Sequence, residues 1–322
     1  MHVVQFEQHG FSKPIESPDW TALLNGASKG VVWVDIVNPT PEDIRIMREV
    51  FHFHPLAIED TLNERQRPKI EEYPDHLFTI LNPINTFAEE LTFRELDVFV
   101  GKHFFVTVRD YLEEPVIDAV LHQCNVRTGN GQRAMSVGYL MYALADQIVD
   151  AYFPVLDALA DRAESIGEEV IERPKPELLQ ELFKIKRSLA EMARVAGQQR
   201  DMFNVFLRED NAFVSEDVMR YYMRDVYDHL IRVSDMIGTY RDTVAGTIDL
   251  YLSSSSNRLN VIVQRLTIIT VGTGALAVIT GFYGMNFERT FPSFDAWWGV
   301  PFVILLMIIT LSVVLYVLGR LD

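Results

Sequence analysis

The C-terminal end of the chain carries two long runs without a charged side chain, Leu266 to Phe287 and Ala296 to Gly319. A bilayer hydrocarbon core about 30 Å thick needs about 20 mostly apolar residues in helical form, so each run is long enough to cross. Two crossings return the chain to its starting side. The eight residues between the runs, Glu288 to Asp295, are too few to fold alone and must form a short loop. Arg258 and Arg265 precede the first run and Arg320 follows the second, whereas the loop sets Arg289 against Glu288 and Asp295. The positive-inside tendency therefore puts both termini in the cytoplasm and the loop outside.

The residues before the first run are enough for one or two domains with real cores. The opening MHVVQFEQHG lacks the basic and apolar regions of a cleaved signal, so the soluble portion is expected to stay where it is made. Cys124 is the single cysteine, which excludes an internal disulfide framework and a thiolate metal cluster within one chain. Function must then rest on oxygen chemistry or histidine. The formal net charge of -16 comes almost wholly from the soluble portion, a surface that repels nucleic acid and attracts cations, or that simply keeps the protein in solution.

Up to about residue 120, short β-branched and aromatic runs alternate with helical patterns. VVWVDIV (31–37), HLFTILNPI (76–84), LDVFVG (96–101) and HFFVTV (103–108) read as strands. Thr40, followed by Pro41, Glu42 and Asp43, reads as an N-cap with proline at N1 and acids in the first turn. The last two strands, joined at Gly101 and Lys102, suggest a hairpin and hence a mixed sheet. After Arg133 the pattern is helical, with two long amphipathic segments meeting at a solvated tip, Glu172-Arg173-Pro174-Lys175-Pro176. His52 and His54, one residue apart among apolar neighbours, read as core or capping groups rather than ligands.

Beyond a loop near Asp210 and Asn211, a helix is expected from about Ser215 through Tyr283, roughly 100 Å at 1.5 Å per residue. Met219, Met223, Val226, Leu230, Val233, Ile237, Tyr240 and Val244 follow the a/d steps of packed helices. Packing on the chain's own domain and self-association both explain this seam. Asp228, Asp235, Asp242 and Asp249 also recur every seven residues, and the register continues through Ser256, Val263, Thr270 and Ala277. That line is either a solvated acidic edge or the approach to an ion path. Inside the first run, Thr270, Gly274, Ala277 and Gly281 are small residues at steps of four and three, suited to close helix packing and equally to lining a narrow pore.

Tyr283-Gly284-Met285-Asn286-Phe287-Glu288 after an apolar helix, with Tyr251-Leu252-Ser253-Ser254 and Ser256-Asn257 upstream, resembles the CorA family of divalent-cation transporters. His54-Pro55-Leu56 with Glu59-Asp60, Gln66-Arg67-Pro68-Lys69, Glu172-Arg173-Pro174 and Arg224-Asp225-Val226-Tyr227-Asp228-His229 match in family order across nearly the whole chain. The resemblance implies an α+β membrane protein. Its parts are a cytoplasmic αβα domain (1–133), a helical hairpin (134–212), a stalk helix (213–260), a pore-lining transmembrane helix (261–285), an external loop (286–297) and a second transmembrane helix (298–319).

It further implies a homopentamer in the inner membrane that carries Mg2+, and in many members Co2+ and Ni2+, with no enzymatic chemistry. Tyr283, Gly284, Met285 and Asn286 would form the selectivity filter, with Asn286 as a ring of amide oxygens around a hydrated ion. Asp249, Asn260, Val263, Leu266 or Thr267, Thr270, Gly274, Ala277 and Gly281 would line the path. Mg2+ would also regulate, bridging Asp225 to an acid of the neighbouring subunit near Glu89, Glu90 or Glu95, with Glu90 the candidate. Glu288 and Asp295 would either concentrate cations at the mouth or keep the loop wet. Gly274 and Ala277 stand where better-known members carry methionine and threonine, so the constriction would fall to Val263 and Leu266. The loop RTFPSFDAWWG lacks the usual Met-Pro-Glu-Leu. A zinc transporter of the same fold is the runner-up, and a membrane-anchored enzyme or scaffold is a distant third without a phosphate loop, nucleophile elbow or paired-histidine motif.

Overall fold

The computed structural model describes residues 1–7, 13–24, 30–63, 66–85, 91–129, 135–208, 217–285, 291–292 and 296–319. In chain order these form β1 (His2–Glu7), β2 (Lys13–Pro14), α1 (Trp20–Leu24), β3 (Gly30–Val37), α2 (Pro41–Glu49), α3 (Pro55–Leu62), β4 (Lys69–Glu72), β5 (Leu77–Leu81), β6 (Leu96–Val100), β7 (Phe104–Arg109), α4 (Pro115–Gly129), α5 (Val137–Asp150), α6 (Tyr152–Glu172), α7 (Pro176–Arg208), α8 (Asp217–Tyr283) and α9 (Gly299–Gly319).

The strands make one seven-stranded sheet in the order β2-β1-β3-β7-β6-β5-β4. β3 and β7 are parallel and the other neighbouring pairs antiparallel, giving the mixed sheet expected. Val31 to Ile36 of β3 are buried without interruption, because this strand lies in the middle of the sheet with both faces covered. One face packs Val32, Val34, Phe78, Ile80, Phe99 and Val106 against Met47 of α2 and Ala57 and Ile58 of α3. On the other, the Thr79 hydroxyl meets Met202 Sδ of α7 at 3.5 Å, and Trp33 packs edge-on against Phe105. Helices on both sides of a sheet are the αβα layering.

Local chemistry fixes the element ends. Thr40 and Asp43 form a reciprocal capping box at the start of α2, with Pro41 inside the first turn. His54 caps α3, its Nδ1 accepting from Leu56 N at 3.3 Å, and its ring stacks on Tyr73. At the β6–β7 turn a Cβ on Gly101 would fall 2.2 Å from Phe104 Cζ, so any side chain there would force the Phe104 ring to move. Asp35 is buried on β3 but paired, receiving Thr107 Oγ1 at 2.7 Å and Arg109 Nη2 at 2.8 Å.

Two features depart from the sequence pattern. The first amphipathic segment after residue 133 is divided at Ala151 into α5 and α6, and β1, β2 and β4 extend a sheet whose inner strands alone were legible. The chain separates into two compact units, Met1–Glu168 with Pro176–Thr247, and Glu169–Lys175 with Ile248–Asp322. Within the first unit the α8 seam is taken up by the chain's own domain: Met219, Met223, Val226, Leu230, Val233, Ile237 and Val244 are all at most 4% exposed, and Tyr240 is half-buried. Asp228, Asp235, Asp242 and Asp249 stay exposed. In the second unit the tip carrying Glu172, Arg173 and Lys175 is solvated, and Ser254 Oγ donates to Val170 O at 3.2 Å.

Candidate ion path and cation cluster

Among the described residues α8 and α9 are the helices long and apolar enough to cross a membrane. On the apolar half of α8 the covered positions are Gln264, Ile268, Gly272, Ala275, Leu276, Ile279 and Tyr283, a single stripe at helical spacing. Facing them, Val303, Leu306, Met307, Thr310 and Val314 form the half-buried stripe of α9. The helices approach at Gly272, where a Cβ would stand 3.5 Å from Leu311 Cδ1. Backbone polar groups in such a segment must be satisfied internally, and threonine hydroxyls are as well: Thr273 donates to Ile269 O and Thr280 to Leu276 O.

The residues expected along the path lie on the other side of the helix. Val263, Leu266, Thr270, Gly274, Ala277 and Gly281 are exposed, as are Asn260 and Asp249 further down. A turn of 100° per residue puts Gly274 about 200° from Gly272. Cβ atoms on Gly274 or Gly281 would meet nothing within 4 Å. At the outer end, Gly284 N bonds Thr280 O at 2.9 Å, and a Cβ at Gly284 would crowd that same oxygen at 3.1 Å. Tyr283 is half-buried, and Met285 is exposed. Asn286, Glu288 and Asp295 lie outside the described residues, as do Glu89 and Glu90.

A second site stands in the soluble unit. Asp146 of α5 and Asp225 and His229 of α8 each bring one ligand atom to within 4.8 Å of the others. His229 Nδ1 is 3.3 Å from Asp150 Oδ1 and 3.6 Å from Asp146 Oδ1, and Nε2 is 3.9 Å from Asp225 Oδ1. Asp146 Oδ1 and His229 Nδ1 are buried yet make no hydrogen bond. Burial first, and then the Asp150 charge, lift the Asp146 carboxyl to about 6, while His229 opposes the rise. Burial and Asp146 also push the Tyr142 phenol upward. One orphaned carboxylate oxygen, one orphaned imidazole nitrogen and crowded carboxylates suit a divalent cation, which would supply the missing partner and offset the repulsion.

Of this cluster only Asp225 was legible as a ligand candidate. His229 sits one helical turn after it within the quoted Arg224 to His229 motif, which was a usable signal. Asp146 is on a different helix, and no spacing in the sequence ties it to Asp225.

The family model described as CorA-like Mg2+ transporter protein matches residues 28–320. The chain belongs to the CorA-like Mg2+ transporter family. Members are transporters rather than enzymes. Among CorA relatives, the cobalt/magnesium transport protein CorA of Thermotoga maritima is 33% identical over 288 residues, covering 88% of this chain and 81% of the relative. In fold, this CorA-family chain matches the complete CorA magnesium transporter from Methanocaldococcus jannaschii with a TM-score of 0.81 at 20% identity, covering 98% of this chain and 97% of that one. The ZntB cytoplasmic domain from Vibrio parahaemolyticus matches at a TM-score of 0.62 and 14% identity, over 80% of this chain and 98% of its own.

Proposed function

We propose that the chain is one subunit of a homopentameric, channel-like transporter that passes hydrated Mg2+ into the cytoplasm down the membrane potential, with Co2+ and Ni2+ as further cargo. The observation that carries this reading is the division of α8 into two faces. α9 covers the Gly272 face, and the line of Val263 and the small residues Thr270, Gly274, Ala277 and Gly281 is left free on the opposite side. Five copies with α8 inside and α9 outside would set that line on a common axis.

In this reading both termini are cytoplasmic and the chain sits in the inner membrane. Residues 1–133, 134–212 and 213–260 are the α/β domain, hairpin and stalk; 261–285 and 298–319 span the bilayer and 286–297 face outward. Asn286 contributes one of five amide oxygens that hydrogen-bond the water shell of an ion reluctant to lose it, alongside Tyr283, Gly284 and Met285. Val263 and Leu266 narrow the path, and Asp249 and Asn260 mark its inner end. A regulatory Mg2+ would bind Asp225 with Asp146 and His229, completed by an acid of the neighbouring subunit for which Glu90 is the candidate. Its departure leaves five crowded acidic clusters whose repulsion splays the cytoplasmic assembly and opens the path.

The deciding experiment is Mg2+ uptake by reconstituted protein. Asn286→Ala is expected to abolish flux while the protein still reaches the membrane, and wild-type flux in that variant would sink the reading. Competition by cobalt hexaammine, a mimic of hydrated Mg2+, separates this cargo from Zn2+.

A further inference from the structure

The soluble unit holds a cavity of about 460 Å3 that shares no residue with the ion path or with the Asp146, Asp225 and His229 cluster. Its volume lies in the range of small-molecule sites. Three stretches of chain build it. β2 ends at Pro14, and the Ile15 amide bonds Val3 O at 2.9 Å, which holds the following residues against β1. Asp19 then starts α1, its Oδ1 accepting from Ala22 N at 3.2 Å, and the Trp20 ring lies edge-on to Phe51 at 5.4 Å. From α2 come Asp43 and Ile46, which are three residues apart and so share a face.

The lining joins two chemistries. Val3 belongs to the core of the α/β domain, and Ile15, Trp20 and Ile46 pack against that core while staying half-buried at its surface. Glu16, Asp19 and Asp43 add carboxylates, and among the described residues no lysine, arginine or histidine lines the cavity. Thr40 N and Oγ1 both bond Asp43 Oδ2, at 2.9 and 2.7 Å, so the capping box leaves Asp43 Oδ1 for another partner. Asp43 is only 9% exposed, and a charge in a wall this dry attracts an opposite charge more strongly than one in open water. Glu16 is exposed at the rim.

Such a lining repels anions, and a hydrated metal ion gains little from an indole and three aliphatic side chains. A flexible organic cation with hydrocarbon between its charges matches both parts. Its methylenes can lie on Val3, Ile15 and Ile46, its ammonium groups can pair with the acids, and the Trp20 face attracts a cation. We propose that this cavity is a binding site for an aliphatic diamine or polyamine, one molecule per subunit. The site is independent of the cargo and the gate proposed above.

The test is titration calorimetry of full-length protein in detergent with putrescine, at constant ionic strength and constant Mg2+. Putrescine is expected to bind, and 1,4-butanediol, which has the same carbon chain without the charges, is expected not to. Glu16→Lys, a change at an exposed position, should weaken putrescine by about tenfold, because it removes one attraction and adds a repulsion. Trp20→Leu keeps an apolar side chain but loses the aromatic face, and should weaken it by about fivefold at an unfolding midpoint near that of the wild type. Glu164→Lys, which makes the same charge change at an exposed position on α6, should leave the affinity as it is. Absence of putrescine binding overturns the proposal, as does equal binding of butanediol. Equal weakening by Glu164→Lys and Glu16→Lys also overturns it, since the amine would then be following the net charge of the protein. A folded Trp20→Leu protein with wild-type affinity would remove the cavity from the interaction and overturn it too.

Discussion

Two glycines two residues apart on α8 should respond in opposite ways to the same substitution. At Gly272 a Cβ already comes within 3.5 Å of Leu311 Cδ1, so a methyl fits at ordinary contact distance and the rest of a leucine side chain does not. Overpacking of this kind costs about 1–3 kcal/mol. Gly272→Leu is therefore expected to loosen α9 from α8 and lower the thermal midpoint of the detergent-solubilised protein. At Gly274 nothing lies within 4 Å of the added Cβ. Within the subunit, Gly274→Leu loses no packing, and replacing glycine in a helix interior gains up to about 1 kcal/mol. On the proposed axis, however, it adds one isobutyl group per subunit at a common level. Its expected signature is a wild-type or higher midpoint with flux reduced at least about tenfold, equivalent to about 1.4 kcal/mol on the barrier. Thermal unfolding and Mg2+ flux measured on the same preparations separate the two effects. A Gly274→Leu protein that conducts normally would refute the assignment of that face to the ion path. Equal destabilisation by both substitutions would refute the division of α8 into a covered and a free side.

Mg2+ should raise the unfolding midpoint of the wild type, by an amount equivalent to about 2.7 kcal/mol at a hundred times its dissociation constant. Asp146→Asn or Asp225→Asn should remove more than half of that increment; an unchanged increment would detach the cluster from ion binding. Burial lowers His76 from 6.5 to about 4, and neither of its ring nitrogens has a hydrogen-bond partner. The unfolded chain therefore binds a proton more readily than the fold between those values, so stability is fully present above about pH 6.5 and declines as pH falls toward 4, by about 3 kcal/mol in total. Denaturant unfolding of His76→Phe across this window should show a flatter pH dependence than the wild type.

The parts that were legible in the sequence are those written in local periodicity or in local capping chemistry. Alternating and continuous runs of β-branched residues marked β3, β5, β6 and β7, and Thr40-Pro41 marked the start of α2, because each signal acts within a few residues. β1, β2 and β4 were not legible: these strands lie toward the two edges of the sheet, where Val3 and Phe6 of β1 are the buried positions among the described side chains, and so leave little hydrophobic pattern to read. The break at Ala151 was hidden for a related reason, since α5 and α6 keep apolar spacing on both sides of it. At the site, the Tyr283 to Asn286 motif and the small line of α8 were visible because they are consecutive or evenly spaced. The company that Asp225 keeps was not.

By itself, the sequence determined that two long uncharged runs stand near the C-terminal end and that a long helix with a seven-residue repeat, aspartate at four of its positions, leads into the first. Those conclusions follow from lengths, periods and charges, which survive without coordinates. Only the tertiary structure decided which face of α8 each residue serves. The seam of Met219 to Val244 turned out to be covered by the chain's own domain, Gly272 to be the close contact with α9, and Gly274 to be free. It also decided that Asp146 meets Asp225 and His229. Contacts of this kind depend on which helices become neighbours, and that is set by the burial of the whole apolar surface rather than by any stretch of sequence that contains the residues involved.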